Sequence, residues 1–299
     1  MSSTVARCFD AFVKSVELSP HERELARRLE QKVFEALRQR LRPKEAILSG
    51  SYGRGTVIRP LHDIDLFLVF AAGDADRRSP GSPRRLLNEL EQTLREAFPG
   101  TGIRVQNRSV NILFKAEGIG IDVVPAFEDT GRTEVYGIPG FQRDEWILSN
   151  PRRHKEACDE ANRQAKGRLI PLVKALKWWN RSRGKPLSSF WLETLTYEGV
   201  RSFEEKGGLC VHAQVAAHLF SFMSEQVLKD WPEPARLGPP VNAGADSVRR
   251  LKARDHLLDG ARKAQVALEA ERKGNHRTAN EYWRELFGEG FPLEVHAHG

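Results

Sequence analysis

The chain offers little that would staple, anchor or repeat it. Its 299 residues include only three cysteines, Cys8, Cys158 and Cys210. They are far apart and form no CxxC or Cys/His cluster, which argues against both a disulfide framework and a zinc module. All three are expected to be reduced, buried thiols. No window approaches the roughly 18 uninterrupted apolar residues that a membrane span needs. The opening MSSTVARCFDAFVKS lacks the apolar run of a signal peptide, so the expected location is cytoplasmic, without membrane contact. Internal repeats and low-complexity segments are also missing. With 40% hydrophobic and 29% charged residues, the composition is that of a folded globular protein.

Charge of one sign is in modest surplus. Forty-seven basic residues against 40 acidic give a formal charge of +7, which favours polyanionic partners such as nucleic acid, acidic lipid or nucleotide phosphates. The surplus is uneven: residues 151–185 hold eleven Lys/Arg against three acids. A positive wall is expected from that segment.

The hydrophobic pattern divides the chain. Ser19, Pro20 and Glu22 form a capping-box signal before Leu25, Leu29, Val33, Leu37 and Leu41 at helical spacing, and this helix should end near Pro43. A short strand at 46–48, the glycine-rich turn GSYGRGT and a strand at 64–70 follow. Another helix is expected from Ser82, then strands near 103–105, 110–114 and 119–124. Beyond Asn150-Pro151 helical periodicity dominates. The expected architecture is therefore α+β: a lobe with a mixed sheet over 1–145, an all-helical lobe over 146–299 with a flexible tail, and a ligand cleft between them.

The stretch LSGSYGRGTVIRPLHDIDLFLVF, residues 48–70, carries the chemistry. Asp63 and Asp65 are two apart on a strand, so both carboxylates project from one face. Two carboxylates this close repel unless a cation lies between them. Hard divalent ions suit carboxylate and phosphate oxygens, and a two-metal site aligns an attacking hydroxyl with a leaving pyrophosphate. Gly50-Ser51 lets backbone and hydroxyl donors approach a phosphate. Asp122, in the apolar IGIDVVPAF, is the candidate third ligand, because a lone aspartate there is costly unless paired or metal-bound. His62 is read as structural, since this mechanism does not require it.

These residues resemble a known family. GSxxxGT with DID and a later isolated Asp is the signature of polymerase-β-like nucleotidyltransferases. The wider text, including IDVVPAF, NRQAKGRLIPLVKALKWWNR, KPLSSFWLE and WRELFGEGFP, is similar to the bacterial second-messenger oligonucleotide or dinucleotide synthetases, relatives of animal cyclic GMP-AMP synthase (cGAS/DncV-like, or CD-NTases). The likeness covers about residues 45–292.

The resemblance implies a polymerase-β-like catalytic lobe and two Mg²⁺ ions, or Mn²⁺, held by Asp63, Asp65 and Asp122. Nucleoside triphosphates such as ATP would be its substrates and a cyclic di- or oligonucleotide in antiphage signalling its product. It also implies that Gly50, Ser51, Lys177 and Ser189 grip the donor triphosphate and that Phe190 stacks on a base; ammonium and hydroxyl donors suit phosphate, and a ring face accepts any base. Trp178 and Trp179 are assigned to packing. Downstream effector and regulatory proteins of a defence operon would be partners, one of them joined through Gly299. Activation by DNA is not expected, because the zinc module of the animal sensor is missing. Two other readings compete: an enzyme of this fold that modifies RNA ends along the basic segment, and an inactive nucleotide sensor, against which the complete carboxylate set speaks.

Overall fold

The computed structural model describes residues 4–71, 73, 82–140, 145–205 and 212–295. They fall into two compact units. One comprises residues 18–156 with 235–238, the other residues 1–17, 157–234 and 239–299. This division differs from the expected one at both ends of the first lobe. Its C-terminal edge lies near residue 156, and the first seventeen residues belong with the helices.

The α+β unit is one seven-stranded mixed sheet. Its strands are β1 (Glu45–Ser49), β2 (Asp63–Phe70), β3 (Gly102–Val105), β4 (Val110–Phe114), β5 (Ile119–Glu128), β6 (Tyr136–Gly140) and β7 (Glu145–Ser149). The order is β1-β2-β5-β4-β3, with β6 joined to the far end of β5 and β7 to β6. Among the described residues only β2 and β5 run parallel; every other pairing is antiparallel. β6 and β7 were not among the expected strands: YGIPG of β6 carries glycine and proline, which strands usually avoid, and EWILS of β7 is only five residues long.

Alternation along the strands decides which side of the sheet is covered. Ile64, Leu66, Leu68 and Phe70 of β2 join Ile121 and Val123 of β5 in the main core. Two helices lie over this side, α2 (Pro20–Leu41) through Leu29, Val33 and Leu37, and α4 (Ser82–Ala97) through Leu86, Leu90 and Leu94. The α2 start is as expected: the Glu22 amide donates to Ser19 Oγ at 3.1 Å and the Ser19 amide to Glu22 Oε2 at 2.7 Å. On the opposite side Phe67, Val69, Val124 and Ala126 pack with Tyr136 and Ile138 of β6 in a second, smaller cluster. That cluster begins only at Phe67 and Val124. The earlier positions on the same side of β2 and β5 are Asp63, Asp65, Gly120 and Asp122.

The helical unit contains α1 (Thr4–Val16), α6 (Leu169–Ser182), α7 (Ser189–Glu205), α8 (His212–Gln226), α9 (Ser247–Arg272) and α10 (His276–Phe287), with most of α5 (Pro151–Gln164). No element was expected before Ser19, yet Val5, Cys8, Phe9, Phe12, Val13 and Val16 repeat at helical spacing and are all buried. Phe9 meets Trp283 edge-on at 4.9 Å and Phe291 at 5.1 Å, so α1 is fixed by aromatic packing near the C-terminal end. Cys8 and Cys158 are buried and form no disulfide, and Cys210 lies outside the described residues. Among the described residues no helix is long and apolar enough to cross a membrane.

α9 approaches α8 closely because Gly260 faces Phe220. A Cβ added at Gly260 would lie 2.6 Å from the Phe220 ring, itself fully buried against Trp179. Gly260→Val is expected to destabilise the protein by about 1–3 kcal/mol through overpacking. Gly244→Ala, where a Cβ meets nothing within 4 Å, should stay within about 0.5 kcal/mol. Urea unfolding midpoints check both.

Candidate active site

The side of the sheet opposite the main core carries a row of polar residues in strict register. Ser49 of β1 pairs with Asp65 of β2, Asp65 with Asp122 of β5, Asp122 with Asn111 of β4, and Asn111 with Arg104 of β3. Neighbouring strands are about 4.8 Å apart, so Asp65 and Asp122 are adjacent on one surface. Asp63 is one step along the same side, about 6.6 Å from Asp65 along the strand, and pairs with Gly120. The three carboxylates expected from sequence are thus brought to one patch of the sheet.

Their surroundings differ. Asp63 is exposed, whereas Asp65 and Asp122 are partly buried. Burial pushes the Asp122 carboxyl above its usual range; a hydrogen bond from Asn111 works against that, the negative charge of Asp63 adds to it, and Arg104 opposes it. The effect of Asp63 on Asp122 is the electrostatic signature of their proximity. Asn111 Nδ2 donates to Asp122 Oδ1 at 2.9 Å. Asp65 lies against Gly50: a Cβ built there would fall 1.7 Å from Asp65 Oδ2.

Gly50 and Ser51 sit in a single helical turn, α3 (Gly50–Gly53), between β1 and β2. Gly50 has φ +58°, a backbone region that favours glycine. Its missing side chain therefore serves two ends, the turn itself and the room for Asp65. Thr56 is fully buried beneath the turn and donates its amide to the Ser51 carbonyl at 2.9 Å. His62 has an exposed side chain, and its carbonyl accepts from the Gly120 amide at 2.6 Å.

This donor set suits a hard divalent cation. It is all carboxylate oxygen, and a positive charge would relieve both the burial of Asp122 and the repulsion from Asp63. Among the described residues no three His, Cys, Asp or Glu side chains are gathered closely enough to form a ready-made ligand set for a metal ion. The Asp65 carboxylate is beside Gly50, and that of Asp122 is beside Asn111.

Lys177, Ser189 and Phe190 belong to the helical unit. Lys177 on α6 is 6% exposed, and its Nζ lies 2.5 Å from Oε1 of the fully buried Glu193 on α7, whose Oε2 accepts from Tyr197 at 3.1 Å. Ser189 opens α7 and is exposed; Phe190 beside it is half-buried. Trp179 is fully buried, while Trp178 is partly exposed and faces Arg181 at 4.2 Å. The basic segment 151–185 is also less free than its composition suggests. Arg152 pairs with Glu45 at 2.7 Å and Lys174 with Glu17 at 2.6 Å. Asn111, Arg104, Gly120 and Glu193 were not singled out by sequence. The available signal was a polar residue interrupting an apolar strand in VNILF.

Residues 3–162, more than half of the chain, match the Second Messenger Oligonucleotide or Dinucleotide Synthetase domain. A probable cyclic nucleotide synthase of Bacillus cereus is 26% identical, with 98% of this chain and 99% of that protein covered. A cyclic AMP-AMP-AMP synthase of Acinetobacter is 28% identical, over 82% and 72%. Among solved structures, Escherichia coli CdnC in its complex with HORMA-deltaN superposes with a TM-score of 0.74 at 21% identity, covering 96% of this chain and 98% of that one. CdnG from Bradyrhizobium diazoefficiens, a CD-NTase in complex with GTP, gives 0.75 at 13% identity, covering 96% of each.

Gly50→Ala is expected to cost about 2–5 kcal/mol, from left-handed backbone strain and displacement of the Asp65 carboxylate. Adding Asp65→Gly should restore the steric part, which a double-mutant cycle of unfolding free energies will detect. Glu193→Gln removes one partner of a buried ion pair and should cost about 3–5 kcal/mol, read as a fall in the thermal midpoint.

Proposed function

The chain belongs to the Second Messenger Oligonucleotide or Dinucleotide Synthetase family, and from that premise we propose that it joins nucleoside triphosphates into a cyclic oligonucleotide with release of pyrophosphate. Its fold is that of the polymerase-β-like CD-NTases, and it is a nucleotidyltransferase. The observation that carries the proposal is the register of β2 against β5, which sets Asp65 beside Asp122 with Asp63 on the same side.

In this reading Asp63, Asp65 and Asp122 hold two Mg²⁺ ions, with Mn²⁺ as a substitute. Bound there, such ions would neutralise phosphate charge and lower the pKa of an acceptor hydroxyl. Gly50 and Ser51 orient the donor triphosphate: the turn has no side chain at Gly50, and the Ser51 hydroxyl has no hydrogen-bond partner among the described residues. The backbone amides and that hydroxyl are the natural donors to phosphate oxygen.

Lys177, Ser189 and Phe190 are proposed as the nucleotide contacts of the helical unit. The pairing of Lys177 with Glu193 fixes its ammonium in place, so it would act on phosphate through its remaining N–H donors rather than by swinging outward. Ser189 and Phe190 are accessible for a phosphate and a base face respectively. Relatives are named cyclic AMP-AMP-AMP synthase, which makes ATP the first substrate to try. A role in antiphage signalling, with effector and regulatory proteins as partners, completes the proposal. The HORMA partner of the CdnC relative supports a regulatory protein. Attachment through Gly299 is part of the same reading; that residue lies outside those described.

The test uses labelled nucleoside triphosphates, singly and together, with Mg²⁺ or Mn²⁺, followed by phosphatase and separation. Wild-type protein should yield a phosphatase-resistant product. Asp63→Asn, Asp65→Asn and Asp122→Asn should yield none. A product from Asp122→Asn at the wild-type rate would contradict the proposal.

A further inference from the structure

We infer that Asn111 is a positioning residue for Asp122: its side-chain amide holds one carboxylate oxygen and leaves the other for a cation, in a space that exists because residue 120 is glycine. The inference rests on reading Asp63, Asp65 and Asp122 as cation ligands.

Three observations converge on it. Asn111 and Asp122 are register partners on antiparallel strands, so their side chains rise from the sheet directly opposite one another. The 2.9 Å contact runs from Nδ2 to Oδ1, and the amide must face that way because an ionised carboxylate only accepts. Gly120 lies on the same side of the sheet as Asp122. A Cβ at Gly120 would fall 2.9 Å from Asn111 Nδ2 and equally 2.9 Å from Asp63 Oδ1. The amide of one residue and the carboxylate of the other therefore converge above a bare backbone, where any larger residue would push them apart.

A half-buried asparagine on an open sheet face could simply be a tolerated polar residue. The chemistry of its partner argues otherwise. The Asn111 amide engages Oδ1 of Asp122, which fixes the rotation of that carboxylate and directs its other oxygen away from the amide. A lysine or arginine in its place would set a fixed positive charge against the incoming cation. Asparagine supplies a donor with no charge. Outer hydrogen-bond partners of this kind orient metal ligands and tune their affinity.

The test measures Mn²⁺ binding without nucleotide, by electron paramagnetic resonance of free Mn²⁺, and separately the Mg²⁺ dependence of product formation at saturating ATP. Asn111→Ala, and Asn111→Leu of nearly the same size, should each raise the half-saturating metal concentration by about 10–100-fold. High Mg²⁺ should narrow the difference in rate, and the KM for ATP measured there should stay close to wild type. Asn111→Ser, which keeps a donor, should shift the metal requirement less than Asn111→Ala. Gly120→Ala keeps the asparagine but fills the space, and should shift it in the same sense. Wild-type metal binding in Asn111→Ala overturns the inference, as does a loss of rate that Mg²⁺ does not narrow. If that happens while Asp122→Asn abolishes Mn²⁺ binding, only the inference falls. If wild type binds no Mn²⁺, or Asp65→Asn and Asp122→Asn bind it as wild type does, the carboxylate reading falls and takes the inference with it.

Discussion

Like charges are held side by side in this protein because the opposite surface of the sheet permits no other register. Ile64 and Leu66 of β2 and Ile121 and Val123 of β5 are buried together under the helices. Strand side chains alternate, so slipping β5 by one residue would turn its apolar set outward and bury Asp122 beneath those helices. Such a slip forfeits several fully buried side chains, each contributing roughly 1.5–3 kcal/mol. Hydrophobic packing on one side thus fixes electrostatic repulsion on the other. The repulsion is tolerable because the covering cluster on that side begins only at Phe67 and Val124.

The same constraint organises the small residues around the patch. Gly50 leaves room for the Asp65 carboxylate, and Gly120 leaves room for Asp63 and the Asn111 amide. Each glycine stands where a side chain would displace a carboxylate oxygen or its partner. The buried Thr56 holds the turn carrying Gly50 and Ser51 from below. An arrangement that is costly in itself is over-determined by its neighbours, as expected of a site prepared for a charged ligand.

Much of this was legible in the sequence, for identifiable reasons. The β2 carboxylates announce themselves because DID interrupts a bulky apolar run, and Asp122 because it stands alone in IGIDVVPAF. The capping box at Ser19 is a local signal and is found as expected. Asn111 was not legible as a partner of Asp122, because pairing between β4 and β5 is a tertiary fact and VNILF shows only a polar interruption. β6 was hidden by its glycines and proline, and β7 by its short length. α1 was readable from its periodicity, but its place with the helical unit depends on aromatic contacts to residues more than 270 positions away. Lys177 was legible as a cation on a helix. Its burial against Glu193 was not, since the partner lies on the next helix.

The most direct measurement is anomalous diffraction from crystals grown with Mn²⁺ and a non-hydrolysable ATP analogue. The account predicts manganese peaks above the polar face of the sheet, with oxygens of Asp63, Asp65 and Asp122 at roughly 2.0–2.3 Å. Manganese bound elsewhere, or coordinated without Asp122, would contradict it.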